Sequence, residues 1–104
     1  MTAKKESSIE SDFSDYVRYL GGRSFKIETG DGMTDRLVTF PRRPPGFIEL
    51  KADKKKPRKL QDFHIRKLIK AGYLATWADN LEDAKAFADI VKNQEQTPCT
   101  KNQT

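Results

Sequence analysis

Five residues in the middle of the chain, Phe47-Ile48-Glu49-Leu50-Lys51, constrain the fold more than any other stretch. Apolar and charged residues alternate there, and side chains on a strand alternate between two faces. Ile48 and Leu50 therefore need a hydrophobic layer on one side, while Glu49 and Lys51 share the other. Standing alone, a Glu-x-Lys pair is usually the solvated face of an edge strand, so its neighbours decide its meaning.

Those neighbours read as an alternation of helix and strand periods. Ile9, Phe13, Tyr16, Val17 and Leu20 form one helical stripe; Ser7 suits its N-cap, and Gly21-Gly22 ends it. Ser24 to Ile27 is a short strand, Thr29 to Gly32 a turn, and Asp35 to Phe40 a second strand closed by Pro41. The Phe47–Lys51 strand follows a proline-stiffened connection. A basic loop then feeds a helix from about Arg58 to Ala71, with apolar positions at Leu60, Phe63, Ile65, Leu68 and Ile69, stopped by Gly72. Tyr73 to Ala78 reads as a buried fourth strand. Asn80 caps a last helix whose stripe is Ala84, Phe87, Ala88 and Val91. The order α-β-β-β-α-β-α, three strands and then a helical crossover into a fourth, implies an α/β fold with a mixed central sheet flanked by helices. Residues 1–92 are expected to make one domain, and the polar stretch 93–104 a disordered tail.

The charge is concentrated. Residues 42–70 carry eleven Lys or Arg against three acids, a net +8, whereas the whole chain nets +5. Such a block points to a polyanionic partner, because each cation that neutralises a phosphate releases counterions. The block has no Trp, Phe and Leu face of the kind that would lay it on a membrane surface. No apolar run approaches the roughly 18 residues of a membrane span, and no apolar stretch follows the first lysines as in a secretory signal. The single cysteine, Cys99, excludes a disulfide framework and, with His64 the only histidine, a zinc site held by Cys and His; it implies a reducing, cytoplasmic setting.

Asp35 opens the strand before Glu49, just after a glycine-containing turn, and two carboxylates on neighbouring strands can share a hard divalent cation. Mg²⁺ suits them, since it takes oxygen ligands. Gln61 sits near the start of the second helix, on or beside the stripe that faces the sheet, where a polar group needs a partner. Glu10 has two readings: a capping-box partner of Ser7, or a carboxylate reaching toward the metal from the first helix. Phosphodiester hydrolysis needs an activated water and a stabilised charged transition state, which a metal beside a lysine can supply. No Ser/His/Asp or Cys/His arrangement and no phosphate-cradling loop competes.

Together, Glu10 with Gly21-Gly22, Lys26, Gly32-Met33-Thr34-Asp35-Arg36, Phe47-Ile48-Glu49-Leu50-Lys51, Gln61 and Gly72 resemble the PD-(D/E)xK nuclease superfamily. More specifically they resemble a stand-alone VRR-NUC (virus-type replication-repair nuclease) domain, a module of phages and of some DNA-repair proteins. The resemblance runs from about Ile9 to Val91. Where the family carries Pro before the first metal-binding Asp, this chain has Thr34, which changes the stiffness of the turn more than its chemistry.

The resemblance implies a restriction-endonuclease-like core and a Mg²⁺ ion, with Mn²⁺ able to substitute. Asp35, Glu49 and the Leu50 carbonyl would hold the metal, and Glu10 would contribute directly or through water. Lys51 would act at the attacking water with Gln61 in support. Lys26, Arg36, Lys54, Lys55, Lys56, Arg58 and Lys59 are the expected DNA contacts. The activity implied is structure-specific cleavage of branched DNA, above all resolution of four-way (Holliday) junctions by a homodimer, in a bacterial host cytosol if the chain is phage-encoded. The alternatives are a flap, nicking or general duplex nuclease of the same fold, and a basic DNA-binding module with a silent site.

Overall fold

A computed structural model describes residues 5–28, 34–52 and 54–95. The elements run α1 (Glu6–Tyr19), β1 (Arg23–Glu28), β2 (Thr34–Thr39), β3 (Gly46–Leu50), α2 (Lys59–Lys70), β4 (Leu74–Ala78) and α3 (Leu81–Lys92). This is the expected α-β-β-β-α-β-α order in a mixed α/β fold. The turn expected at 29–32 and residues 96–104 of the expected tail lie outside the described residues.

The four strands form one sheet in the order β1-β2-β3-β4. The first three make an antiparallel meander, and α2 carries the chain over to β4, which lies parallel to β3. Alternation assigns the two faces. Val38, Ile48 and Leu50 point into a core with Ile9, Phe13 and Val17 of α1 and Ala84, Phe87, Ala88 and Val91 of α3. The α3 stripe and, in α1, Ile9, Phe13 and Val17 are therefore buried in one layer, with Tyr16 and Leu20 of the α1 stripe half-buried against it; each fully buried Ile, Phe or Val contributes about 1.5–3 kcal/mol. The opposite face receives Glu49 and is covered over β3 and β4 by α2.

Gly21 and Gly72 end α1 and α2 at φ +93° and +102°, a region a side chain rarely adopts. Behind each, two backbone bonds close a Schellman motif: Gly22 N–H to Val17 and Gly21 N–H to Arg18, then Tyr73 N–H to Leu68 and Gly72 N–H to Ile69. Asn80 caps α3 as expected, its side chain accepting from the Asp83 N–H at 2.8 Å. Gly46 lets α3 lie close on β3: a Cβ there would meet Val91 Cγ2 at 2.5 Å.

Three expectations are corrected. Ser7 is not the N-cap of α1; the helix begins at Glu6 with Lys5 in the cap position and no side-chain cap bond. Its anchoring comes instead from buried Ile9, Phe13 and Val17. β4 is not a buried strand: only Ala78 is fully buried, because among the described residues β4 is the last strand of the sheet and pairs on one side only. Of the apolar positions of α2, only Ile65 is buried, while Leu60, Phe63 and Ile69 are exposed. A helix resting on two strands at the rim of a sheet has a narrow contact stripe.

Candidate functional site

At the C-terminal end of β3, strand alternation turns Glu49 away from the α1/α3 core and toward α2. Its side chain is only 3% exposed, and so is that of Gln61 in the first turn of α2. Gln61 Nε2 donates to Glu49 Oε1 at 3.2 Å, and Gln61 Oε1 accepts the Arg58 N–H at 2.8 Å. The second bond fixes the amide orientation, since a backbone N–H needs an oxygen partner, and this leaves Nε2 to face the carboxylate. The same glutamine thus satisfies a free N–H at the head of its helix and a buried acid on the sheet.

Lys51, just beyond β3, is held from both ends. Its backbone N–H donates to the Ala78 carbonyl at 2.8 Å, and its Nζ lies 3.4 Å from Glu49 Oε1. Its side chain keeps 15% of its exposure, so the ammonium sits between the buried carboxylate and the surface. Glu49, Lys51 and Gln61, three of the four residues expected to act together, are brought into one polar group. Among the described residues there is no group of three or more His, Cys, Asp and Glu that could hold a metal.

The fourth, Asp35, is described through its backbone alone; its side chain lies outside the described residues. It pairs with Ile27 of β1, and the β2–β3 register runs Arg36↔Ile48, Leu37↔Phe47, Val38↔Gly46. Continued by one residue, that register sets the Asp35 backbone opposite Glu49. Leu50 pairs with Ala78 at the same end of the sheet.

Glu10 and Arg36 lie elsewhere. Arg36 shares the sheet face of Val38 and Ile48, opposite to that of Glu49. Its guanidinium donates to Glu10 Oε1 at 3.3 Å, to Ser14 Oγ at 2.9 Å and to Ser24 Oγ at 2.9 Å. Glu10, expected to contribute to the metal, has Arg36 as its partner, and Arg36, expected on DNA, is tied into the packing of α1 on β1.

The other expected DNA contacts are at the surface. Lys26 is exposed on β1; Lys54, Lys55, Lys56, Arg58 and Lys59 are exposed between β3 and the start of α2. Their loop leaves from Lys51 and returns at Arg58. The loop that carries these exposed cations is thus joined at each end to the residues around Glu49. His64 is half-buried on α2, with its ring edge-on to Phe63 at 5.8 Å between centroids.

Three contributors are not among the residues expected in these roles: the Arg58 N–H, Ser14 and Ser24. The Arg58 N–H is legible in principle, as a glutamine three residues after a helix cap is half of a capping box. Ser14 and Ser24, ten residues apart on different elements, carry no local signal of their shared arginine. Comparison of the chain with family models, with curated proteins and with solved structures finds no match.

Proposed function

We propose that the chain is a Mg²⁺-dependent DNA endonuclease of the stand-alone VRR-NUC kind, cutting branched DNA as a homodimer, with Holliday junctions as its substrate. The observation that carries this reading is Glu49: a carboxylate 3% exposed, with Gln61 and Lys51 converging on one of its oxygens. Burying a charge is costly unless it is paired and hydrogen-bonded. A surface that only bound DNA would have no use for an acid here, because it opposes phosphate.

The donor set fits the proposed ion. Asp35, Glu49 and the Leu50 carbonyl offer oxygens only, which suits a hard cation that keeps part of its water shell. When bound, the metal would lower the pKa of a coordinated water and polarise the phosphoryl oxygen. The protein's own part is positional. Gln61 holds Glu49 in place and is itself held by the Arg58 N–H. Lys51 presents a fixed positive charge at the rim, where its ammonium can orient the attacking water and stabilise the negative charge that develops on the phosphate. The exposed lysines between β3 and α2 bind the flanking phosphates. A four-way junction needs two matched nicks, and a two-fold dimer supplies two sites in that relation.

One observation favours the silent DNA-binding module: Glu49, Lys51 and Gln61 also satisfy one another as a clasp between β3 and α2. Incubating wild type and Lys51→Ala with a four-way junction, a flap and linear duplex, in Mg²⁺ and in Mn²⁺, separates the readings. Symmetric junction nicks that disappear in the variant support the resolvase. Preferential cutting of flap or duplex leaves a nuclease of another specificity. Binding without any wild-type cleavage identifies the silent module, and equal cleavage by both proteins removes Lys51 from the site.

A further inference from the structure

A pocket of about 390 Å³ opens between the C-terminal half of α1 and the start of β1, lined by Ser14, Arg18, Gly22, Arg23, Ser24 and Phe25. It lies toward the opposite end of β1 from Ile27, the residue paired with Asp35. Its polar lining is made of donors. Ser14 Oγ and Ser24 Oγ each accept a bond from the half-buried Arg36 guanidinium, Nη2 and Nε respectively, at 2.9 Å. A hydroxyl that accepts from a cation still has its own proton to give, and it is a stronger donor for being polarised. Neither hydroxyl donates to any described residue.

Arg18 and Arg23 supply the charge. Arg18 is largely exposed and only loosely held by Asp15, at 3.6 Å; Arg23 is exposed, and its side chain has no hydrogen bond or ion pair with any described residue. Two of the carbonyl acceptors at the end of α1 are occupied, since those of Val17 and Arg18 take the Gly22 and Gly21 N–H groups. Glu10 is bound to Arg36 and Asp15 to Arg18, which leaves one arginine in excess. Two hydroxyl donors backed by a half-buried guanidinium, with two arginines at the mouth, match a tetrahedral oxyanion.

We infer that this pocket binds a phosphoryl group, seated on the Ser14 and Ser24 hydroxyls and clamped by Arg18 and Arg23. The ligand is either a phosphodiester of a nucleic-acid strand or free phosphate, which share this chemistry. The inference stands apart from the nuclease reading, since its test needs neither metal nor cleavage. Backbone amide shifts are followed by NMR while inorganic phosphate, and separately a short single-stranded oligonucleotide, is added in EDTA at constant ionic strength. Saturable shifts centred on Ser14, Gly22, Arg23 and Ser24 are expected, weakened about tenfold or more in Arg23→Ala and in Ser14→Ala, as when a hydrogen bond to a charged group is removed. Competition between the two ligands assigns the site to strand phosphates, and a response to phosphate alone assigns it to the free ion. Absence of shifts at these amides with both ligands, or shifts unchanged in Arg23→Ala, overturns the inference.

Discussion

Gln61 Nε2 meets Glu49 Oε1 at 3.2 Å across the space between α2 and β3, in surroundings that leave each side chain 3% exposed. This pairing joins the stability of the fold to the chemistry proposed for it. The glutamine is a cap to its own helix and a hydrogen-bond donor to the acid.

Replacing Gln61 by Leu should therefore remove both bonds at once and leave Glu49 with one donor fewer. The expected cost is about 1–3 kcal/mol, the range for stranding a buried polar group. Gln61→Glu keeps an acceptor for the Arg58 N–H but sets two carboxylates together. A shared proton relieves that repulsion, so the folded pair holds a proton to higher pH than the unfolded chain. The variant should be least stable near neutrality and recover as pH falls through the carboxylate range. Thermal unfolding at several pH values reads both effects; a Gln61→Glu variant unchanged from wild type at neutral pH would contradict the assigned hydrogen bond.

Gly46 packs without a side chain against α3. A Cβ would lie 2.5 Å from Val91 Cγ2 and 3.0 Å from Phe87 Cζ, so Gly46→Ala should destabilise by about 1–3 kcal/mol through overpacking. Adding Val91→Ala removes the clashing methyl, and the double variant should lose less than the sum of the single changes. Denaturant unfolding of the four proteins checks this, and strict additivity would show that the two positions do not meet.

Tyr16 donates its hydroxyl hydrogen to Asp89 Oδ1 at 2.7 Å, and that bond, followed by desolvation and the negative charge of Asp89, holds its pKa above the ordinary tyrosine value. The folded state keeps this proton more tightly than the unfolded chain. The contribution is therefore fully present below the unfolded tyrosine pKa, about 10, and is lost as pH rises through the higher folded value. Difference absorbance titration of wild type against Tyr16→Phe should show one phenol ionising late, and the stability gap between the two proteins should close at high pH.

Lys54, Lys55 and Lys56 are exposed on the loop that joins Lys51 to Arg58. Changing all three to Ala should weaken DNA binding similarly for every sequence. The slope of log K against log salt should shrink by about 0.9 for each duplex phosphate that is no longer neutralised. Glu49→Ala should tighten DNA binding, because a negative charge near phosphate is removed. Filter binding across a salt series measures both; an unchanged slope in the triple variant would place DNA elsewhere on the surface.

The amino-acid sequence by itself determined the element order, the buried stripes of α1 and α3, the Asn80 cap and the two glycine stops. Each rests on interactions within a few residues, where helix and strand periods and positive-φ turns are written directly in residue type. Glu49, Lys51 and Gln61 were legible for a related reason: two share a strand face and the third falls on the inward side of the next helix.

The tertiary structure alone decided which charged groups meet and which apolar ones are covered. Glu10 and Arg36 are 26 positions apart, and their pairing exists because α1 packs against β1 and β3, on the sheet face that carries Arg36. Leu60, Phe63 and Ile69 stay exposed, and β4 half-buried, because α2 rests on the last two strands and no described residue pairs beyond β4. Local periodicity sets the direction in which a side chain points along its own element. What waits there depends on how distant segments pair, and in this chain that separated Glu10 from Glu49 while bringing Gln61 to it.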